Sequence, residues 1–299
     1  MKEYEITFNS CHDKRIAASI IEPDQVNCAP GLIHVAHGWG GNRFSSVKRD
    51  TQKELVNRYN LICVATEYRQ SGYNCNDITG LGAERPYDTS HLQVIDCLNA
   101  LRKTLELYPT IDKSRIIGLG VSQGGHITTL MPIFAPRTFA LVISCSGISH
   151  IDAQRCEWAG RDFSEDELAI RNVVGLAKLI DCPVALIHGT ADMTVPDAHS
   201  RLLEKALRDA KKVVRAKYID GGGHGLGPDT SWETETRTLA DDWLHASRNK
   251  QVNVFECQKR IVIPCVKRSC VIDWSKAMHD ASLIGWEQLS GKKILKKKG

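Results

Sequence analysis

A buried strand that runs straight into Gly-x-Ser-x-Gly, with a helix directly behind it, leaves a chain very few architectures. Here the apolar run Arg115-Ile116-Ile117-Gly118-Leu119 leads into Gly120-Val121-Ser122-Gln123-Gly124, and the helix-like segment Gly125-His126-Ile127-Thr128-Thr129-Leu130 follows. Such a strand-to-helix turn is tight enough to strain the serine backbone, which is the signature of a nucleophile elbow. Glycines are expected two residues to either side, because a side chain there would collide with the neighbouring strand or helix. The strain holds the hydroxyl over the sheet edge. It also aims the first helical N–H groups at the same spot, where they can stabilise an anion. Alone the pentapeptide is common; its position between a strand and a helix gives it weight.

The rest of the chain repeats that alternation. Short apolar runs at 4–9, 15–21, 31–36, 60–66, 115–120, 140–145, 183–188 and 213–219 read as strands. Amphipathic stretches at 46–58, 91–107, 123–133, 165–179, 197–210 and 231–247 read as helices. The first two strands are joined by a short polar turn and form a hairpin; the others need right-handed crossovers. The expectation is an α/β protein with an eight-stranded, mostly parallel sheet and helices on both faces. Two segments fall outside the pattern. Residues 147–181 separate two core strands and should lie above the carboxyl ends of the strands as a small lid. Residues 249–299 form a C-terminal extension, with a β-like run at 251–255 and 260–263, a short helix near 274–283, and a lysine-rich tail that should fray. The expected division is therefore a domain at 1–248 and an extension of unknown role.

Charge and cysteine usage narrow the function classes. The formal net charge of the 299 residues is only +4, which does not point to nucleic acid. The imbalance is local: from Lys250 onward there are 11 Lys/Arg against 4 Asp/Glu, about +7. The N-terminus lacks an apolar core and a cleavage site, and no apolar run approaches bilayer length. Eleven cysteines, an odd number without Cys-x-x-Cys pairs, read as reduced thiols of a cytoplasmic protein. Zinc-type cysteine spacing is missing, so no metal and no cofactor are expected.

Three further stretches accompany the elbow. Ile187-His188-Gly189-Thr190-Ala191-Asp192 closes a strand and is followed by Val195-Pro196. A short strand-end loop of this kind can turn a carboxylate toward the mouth of the sheet; Asp197, the nearby competitor, reads as a helix N-terminal residue. Tyr218-Ile219-Asp220-Gly221-Gly222-Gly223-His224-Gly225 sets a histidine in a glycine-rich loop after the last core strand. His34-Val35-Ala36-His37-Gly38-Trp39-Gly40-Gly41-Asn42 closes the third strand. His37, His126 and His188 are expected near the pocket as supporting residues.

Together these motifs resemble the α/β-hydrolase superfamily over roughly residues 4–248, and within it the small serine esterases and the prolyl-oligopeptidase-like hydrolases. The order Ser, Asp, His is the one that fold requires. The resemblance implies Ser122 as nucleophile, His224 as general base and Asp192 as its orienting acid. It implies an oxyanion hole from the backbone N–H groups of Trp39 and Gln123, with Gly40 as the competitor to Trp39. Gly38, Gly40, Tyr68, Arg69 and Trp158 are candidate substrate contacts. Thr66-Glu67-Tyr68-Arg69-Gln70-Ser71-Gly72 stands where many relatives have Asp-x-Arg-Gly; Glu67 and Gln70 depart from that pattern, and the stretch reads as mainly structural. A serine nucleophile argues against the dehalogenase and dienelactone-hydrolase branches, which use a carboxylate and a thiol.

The activity expected first is hydrolysis of small or medium carboxylic esters through an acyl-enzyme. The alternative is a prolyl-oligopeptidase-type serine peptidase acting on short peptides. The first strand begins almost at Met1, so no N-terminal propeller is expected, which favours esters. A ligand-binding protein without catalysis is the third reading, weakened because no triad member is missing. Substrate, acyl-chain preference and oligomeric state stay open.

Overall fold

The computed structural model describes residues 1–24, 29–45, 47–72, 84–244, 247–249, 253–257 and 259–289. The eight expected strands form one sheet: β1 (Lys2–Ser10), β2 (Lys14–Glu22), β3 (Gly31–Ala36), β4 (Leu61–Glu67), β5 (Ile116–Val121), β6 (Leu141–Cys145), β7 (Val184–Gly189) and β8 (Val214–Ile219). Their spatial order is β1-β2-β4-β3-β5-β6-β7-β8. β1 and β2 pair antiparallel, as do β2 and β4, and every later pair is parallel. Strands β3, β5, β6 and β7 are buried along their whole length because helices cover both faces. At the edges β1 and β8 alternate, with one face wet.

Helices α1 (Arg49–Tyr59) and α8 (Trp232–Trp243) supply one face, packing Leu55, Val56, Ala240 and Trp243 over Ile33, Cys63 and Ile117. On the other face lie α2 (Leu92–Leu107), α3 (Gln123–Phe134) and α7 (Ala198–Asp209), with Leu98, Ile127, Leu130 and Leu203 in the core. The chain winds one way from β3 to β4 and the other way from β5 onward. Ligand sites in open α/β sheets lie at such a reversal, outside the carboxyl ends of the strands.

Two regions depart from the sequence expectation. The single helix expected at 165–179 is broken into α5 (Glu165–Ile170), α6 (Val173–Leu176) and a 3-10 turn at Ala177–Leu179. Asn172 causes the break: its side chain accepts the N–H of Gly175 at 3.0 Å and starts a new helix. Ahead of these, α4 (Ala153–Ala159) is capped by Asp152.

The second departure is at the C-terminus. Val254–Cys257 is a helical turn, α9, rather than part of a strand. The region near 274–283 contains only a 3-10 turn at Ala281–Leu283. In between, an unexpected strand β10 (Arg268–Asp273) pairs antiparallel with β9 (Arg260–Pro264) and β11 (Ile284–Gln288), forming a separate three-stranded sheet. Ile263, Cys270, Ile272, Trp274 and Leu283 join the apolar cluster that also holds α2 and α3. Trp274 is only 1% exposed, and its indole N–H donates to the carbonyl of Phe134 at 3.0 Å. The lysine-rich tail lies outside the described residues. Among the described residues, Cys11, Cys63, Cys97, Cys145, Cys182 and Cys270 are buried free thiols.

Candidate active site

Four loops meet at the carboxyl ends of β3, β5, β7 and β8. Ser122 sits between β5 and α3 with φ 57° and ψ −120°, a region that side chains other than glycine rarely adopt. The flanking glycines are as necessary as expected. A Cβ on Gly120 would strike the carbonyl of Gly124, and a Cβ on Gly124 would strike the carbonyl of Ala36 at the end of β3. The Ser122 N–H is fixed on the carbonyl of Cys145 at 2.8 Å. As the first residue of α3, Gln123 has an N–H without an intrahelical acceptor, pointing out of the helix beside Ser122.

One residue beyond that anchor, Ser146 donates its hydroxyl to the carbonyl of His224 at 3.0 Å. The elbow and the histidine loop are thus tied to adjacent residues of one strand end. The His224 ring meets Trp232 edge-on, with centroids 5.6 Å apart, and its Nδ1 lies 2.7 Å from Asp192 Oδ2. A carboxylate can only accept, so Nδ1 carries the proton and Nε2 is left with a lone pair. That tautomer is the one a general base needs.

Asp192 is held on every side. Its Oδ1 accepts the N–H groups of Thr194 and Val195, each at 2.9 Å. His188 Nε2 is 3.2 Å from Oδ2 and 2.8 Å from the Val195 carbonyl, while its Nδ1 is 2.6 Å from Ser200 Oγ. Because the Val195 carbonyl must be an acceptor, Nε2 of His188 is the protonated nitrogen. Burial opposes ionisation of Asp192, yet the donors from His188, His224 and Val195 outweigh it and hold the carboxyl well below the usual carboxylate range. Sequence reasoning named His188 only as a neighbour; its contact with the oxygen that His224 uses emerges from the fold. Asp197 precedes α7 and pairs with Arg201 instead.

The β3 loop supplies the opposite wall. Gly40 has φ 66°, and the Gly41 N–H donates to the carbonyl of Gly38, which curls the loop back on itself. Half-exposed Trp39 packs on Tyr87, centroids 4.1 Å apart, and meets Trp158 edge-on at 5.8 Å. Tyr87 gave no signal in the sequence. Its hydroxyl donates to the Gln123 side chain at 2.9 Å, and its N–H donates to the carbonyl of Ala159. Trp158 itself lies under the Arg155 guanidinium, 4.7 Å from the ring centroid.

Tyr68 and Arg69, named among the candidate substrate contacts, are held in the scaffold by other side chains and by the backbone. Tyr68 is 1% exposed, stacks on His37 with centroids 4.0 Å apart, and donates to the His37 carbonyl. Arg69 is committed to Asp96 through two side-chain hydrogen bonds of 2.8 Å. Burial lowers the pKa of His37 to about 4 and that of His126 to about 3, so both are neutral at pH 7. His126 Nε2 donates to the carbonyl of Arg171, which fixes the 147–181 segment to α3.

A sequence profile of the prolyl oligopeptidase family matches residues 85–250, more than half of the chain. The chain belongs to that family. Peptidases of this kind are hydrolases, and the family therefore favours the peptidase alternative over the ester reading. The chain is 28% identical over 145 residues to "Uncharacterized peptidase YtmA" of Bacillus subtilis, covering 44% of this chain and 56% of that one. Acylaminoacyl peptidase of Pyrococcus horikoshii shares the fold with a TM-score of 0.69 at 20% identity, over 84% of this chain and 42% of that one. A puromycin-hydrolyzing peptidase of Mycobacterium tuberculosis superposes with a TM-score of 0.66 at 21% identity, over 82% and 39%. This family member thus spans just over half the length of the curated relative and about two fifths of these solved structures. Among the described residues no helix is long and apolar enough to cross a membrane.

Proposed function

We propose that the chain is a serine peptidase that cleaves short peptides through an acyl-enzyme. The observation that carries the reading is the His224–Asp192 hydrogen bond, which puts the proton of the neutral ring on Nδ1 and so makes Nε2 its acceptor, at the sheet edge that also bears the strained Ser122. Ser122 attacks the scissile carbonyl as Nε2 of His224 takes its proton. Asp192 stabilises the imidazolium. The N–H groups of Gln123 and Trp39 receive the oxyanion; one such donor is worth roughly 3 kcal/mol of transition-state stabilisation. His224 then hands its proton to the leaving amine, and water repeats the sequence on the acyl-enzyme. The 147–181 segment acts as the lid, with Trp158 and Trp39 walling the space for a substrate side chain; the packing of Tyr87, Trp39 and Ala159 supports this.

Ester hydrolysis is the second reading. It is favoured by the half-exposed Ser122, since the same machinery cleaves the more reactive ester. The test is a panel of peptide p-nitroanilides beside p-nitrophenyl acetate and butyrate, each with wild type and Ser122→Ala. Turnover of peptides that Ser122→Ala loses supports the peptidase. Turnover of esters alone supports the second reading. Equal turnover by both proteins on every substrate overturns Ser122 chemistry.

A further inference from the structure

Away from the Ser122 site, three metal-ligating side chains converge between the 147–181 segment and α7. His150, Asp152 and His199 each offer a ligand atom, and the three atoms lie within 4.8 Å of one another. The imidazole rings of His150 and His199 sit 4.5 Å apart, centroid to centroid. Asp152 Oδ2 is 3.6 Å from His199 Nε2. We propose that His150, Asp152 and His199 bind a divalent transition-metal ion of the Zn²⁺ type, and that the ion fastens the start of α4 to the first turn of α7.

The donor chemistry fits. Two imidazoles and one carboxylate are a common set for such ions, with one position left for water. Ligating histidines are normally held by a partner on the other ring nitrogen. Ser149 supplies one: its Oγ is 3.2 Å from His150 Nδ1 and 3.3 Å from His199 Nδ1, within reach of an N–H from either ring. With the protons on Nδ1, both Nε2 atoms are free to bind metal.

Two features oppose binding and set its strength. The Ser149 N–H points at His199 Nδ1 from 3.3 Å, which favours the other tautomer until a metal arrives. Arg155 Nη1 lies 3.0 Å from Asp152 Oδ2 and competes for that oxygen. Arg155 is not stranded if displaced: Nη1 keeps Gln154 Oε1 at 2.8 Å, and Nη2 keeps the carbonyl of Thr194 at 2.6 Å. Asp152 Oδ1 stays on the Arg155 N–H at 2.9 Å, so the cap of α4 survives. The site is therefore weaker than one built from thiolates, yet it is assembled without refolding. Sequence reasoning missed it because it looked for cysteine spacing, whereas these ligands come from two segments almost fifty residues apart.

The experiment is titration of the full chain with Co²⁺ and with Zn²⁺, following the visible Co²⁺ spectrum and the heat of Zn²⁺ binding. Wild type should take up one equivalent that shows nitrogen and oxygen ligation without thiolate charge-transfer bands. His150→Ala, Asp152→Asn and His199→Ala should each lose that equivalent, while Ser122→Ala keeps it. His199 is buried, so His199→Ala is read beside His150→Ala and Asp152→Asn, whose side chains are partly exposed. Hydrogen exchange of residues 150–160 should slow on metal addition in wild type alone. The proposal is overturned by the absence of saturable binding, by thiolate bands, or by an equivalent that persists in Asp152→Asn and His150→Ala.

Discussion

Two carboxylates in this molecule are held by nearly the same pattern and are suited to different work. Asp192 places Oδ1 on the N–H groups of Thr194 and Val195 and turns Oδ2 to the imidazoles of His224 and His188. Asp166, in the first turn of α5, places Oδ1 on three consecutive N–H groups, those of Val266, Lys267 and Arg268 at 2.9, 2.7 and 3.1 Å. Its Oδ2 accepts from Arg268 Nε at 3.0 Å. The difference lies in the second oxygen. A guanidinium is always charged, so Asp166 faces a fixed partner and serves as a tie between α5 and the β9–β10 turn. An imidazole that takes a proton from a nucleophile becomes an imidazolium, so Asp192 faces a partner whose charge can change during a reaction. Backbone donors position a carboxylate; the group opposite its free oxygen decides whether it can take part in chemistry.

The comparison breaks first at Asp192→Asn. The amide still accepts the N–H groups of Thr194 and Val195, so the loop should hold, while the melting temperature should fall because the stabilisation carried by the depressed carboxylate is lost. The amide N–H₂ can face His224 only as a donor, which forces the wrong tautomer on the imidazole. Turnover should fall by about 10⁴-fold at neutral pH. Steady-state kinetics on the peptide panel checks this. A loss that disappears when turnover is expressed per folded molecule would make Asp192 a structural tie like Asp166.

The structural side of the comparison is sharpened by Trp274→Ala. The indole is buried beside Phe255, donates to the last residue of α3, and so props the far end of the helix whose first turn carries the elbow. Removing it should cost about 3–5 kcal/mol of stability in a urea melt. Turnover per folded molecule should be unchanged. Truncation before Lys250 deletes the same prop together with β9, β10 and β11. It should therefore lower the melting temperature further; an unaltered melt would restore the 1–248 unit that the sequence suggested.

What was legible in the chain follows from these forces. The central strands could be read because helices on both faces force continuous apolar runs such as Leu141–Cys145, and the edge strands β1 and β8 because one wet face makes them alternate. The elbow could be read because glycine is compulsory at positions 120 and 124. β10 escaped because Arg268-Ser269-Cys270-Val271-Ile272-Asp273 is short, flanked by charges and buried by the hydrolase core rather than by its own sheet. Tyr87 escaped because its role depends on Gln123 and Trp39, which only the fold brings beside it. Likewise, nothing in the spacing of His188 and Asp192 says that two histidines share one carboxylate oxygen.

That sharing makes His188→Gln the next test. His188 is fully buried, and glutamine cannot satisfy Ser200, Val195 and Asp192 from one amide. A buried polar group left without its partner costs about 1–3 kcal/mol. With one donor lost, Oδ2 of Asp192 is free to shift against His224. Turnover should drop less than in Asp192→Asn, with KM unchanged. A KM effect alone would assign His188 to the pocket wall instead of to Asp192.

The smallest effect belongs to Asp166→Asn, and its size depends on pH. Burial raises the pKa of Asp166, but the N–H of Lys267, the guanidinium of Arg268 and the remaining N–H groups outweigh it and lower it to about 2. The unfolded chain titrates near 3.9. The folded state therefore binds the proton less readily than the unfolded state does. The stabilisation is present in full above the unfolded value and is lost as pH falls toward 2. Asparagine carries no charge at any pH, so this stabilisation is absent from the variant. The variant should melt below wild type by a constant margin from pH 8 to pH 5, and the two curves should converge as pH approaches 2. Turnover per folded molecule should stay at the wild-type level throughout. A margin independent of pH would mean that Asp166 holds the β9–β10 turn by hydrogen-bond geometry alone, without a contribution from its charge.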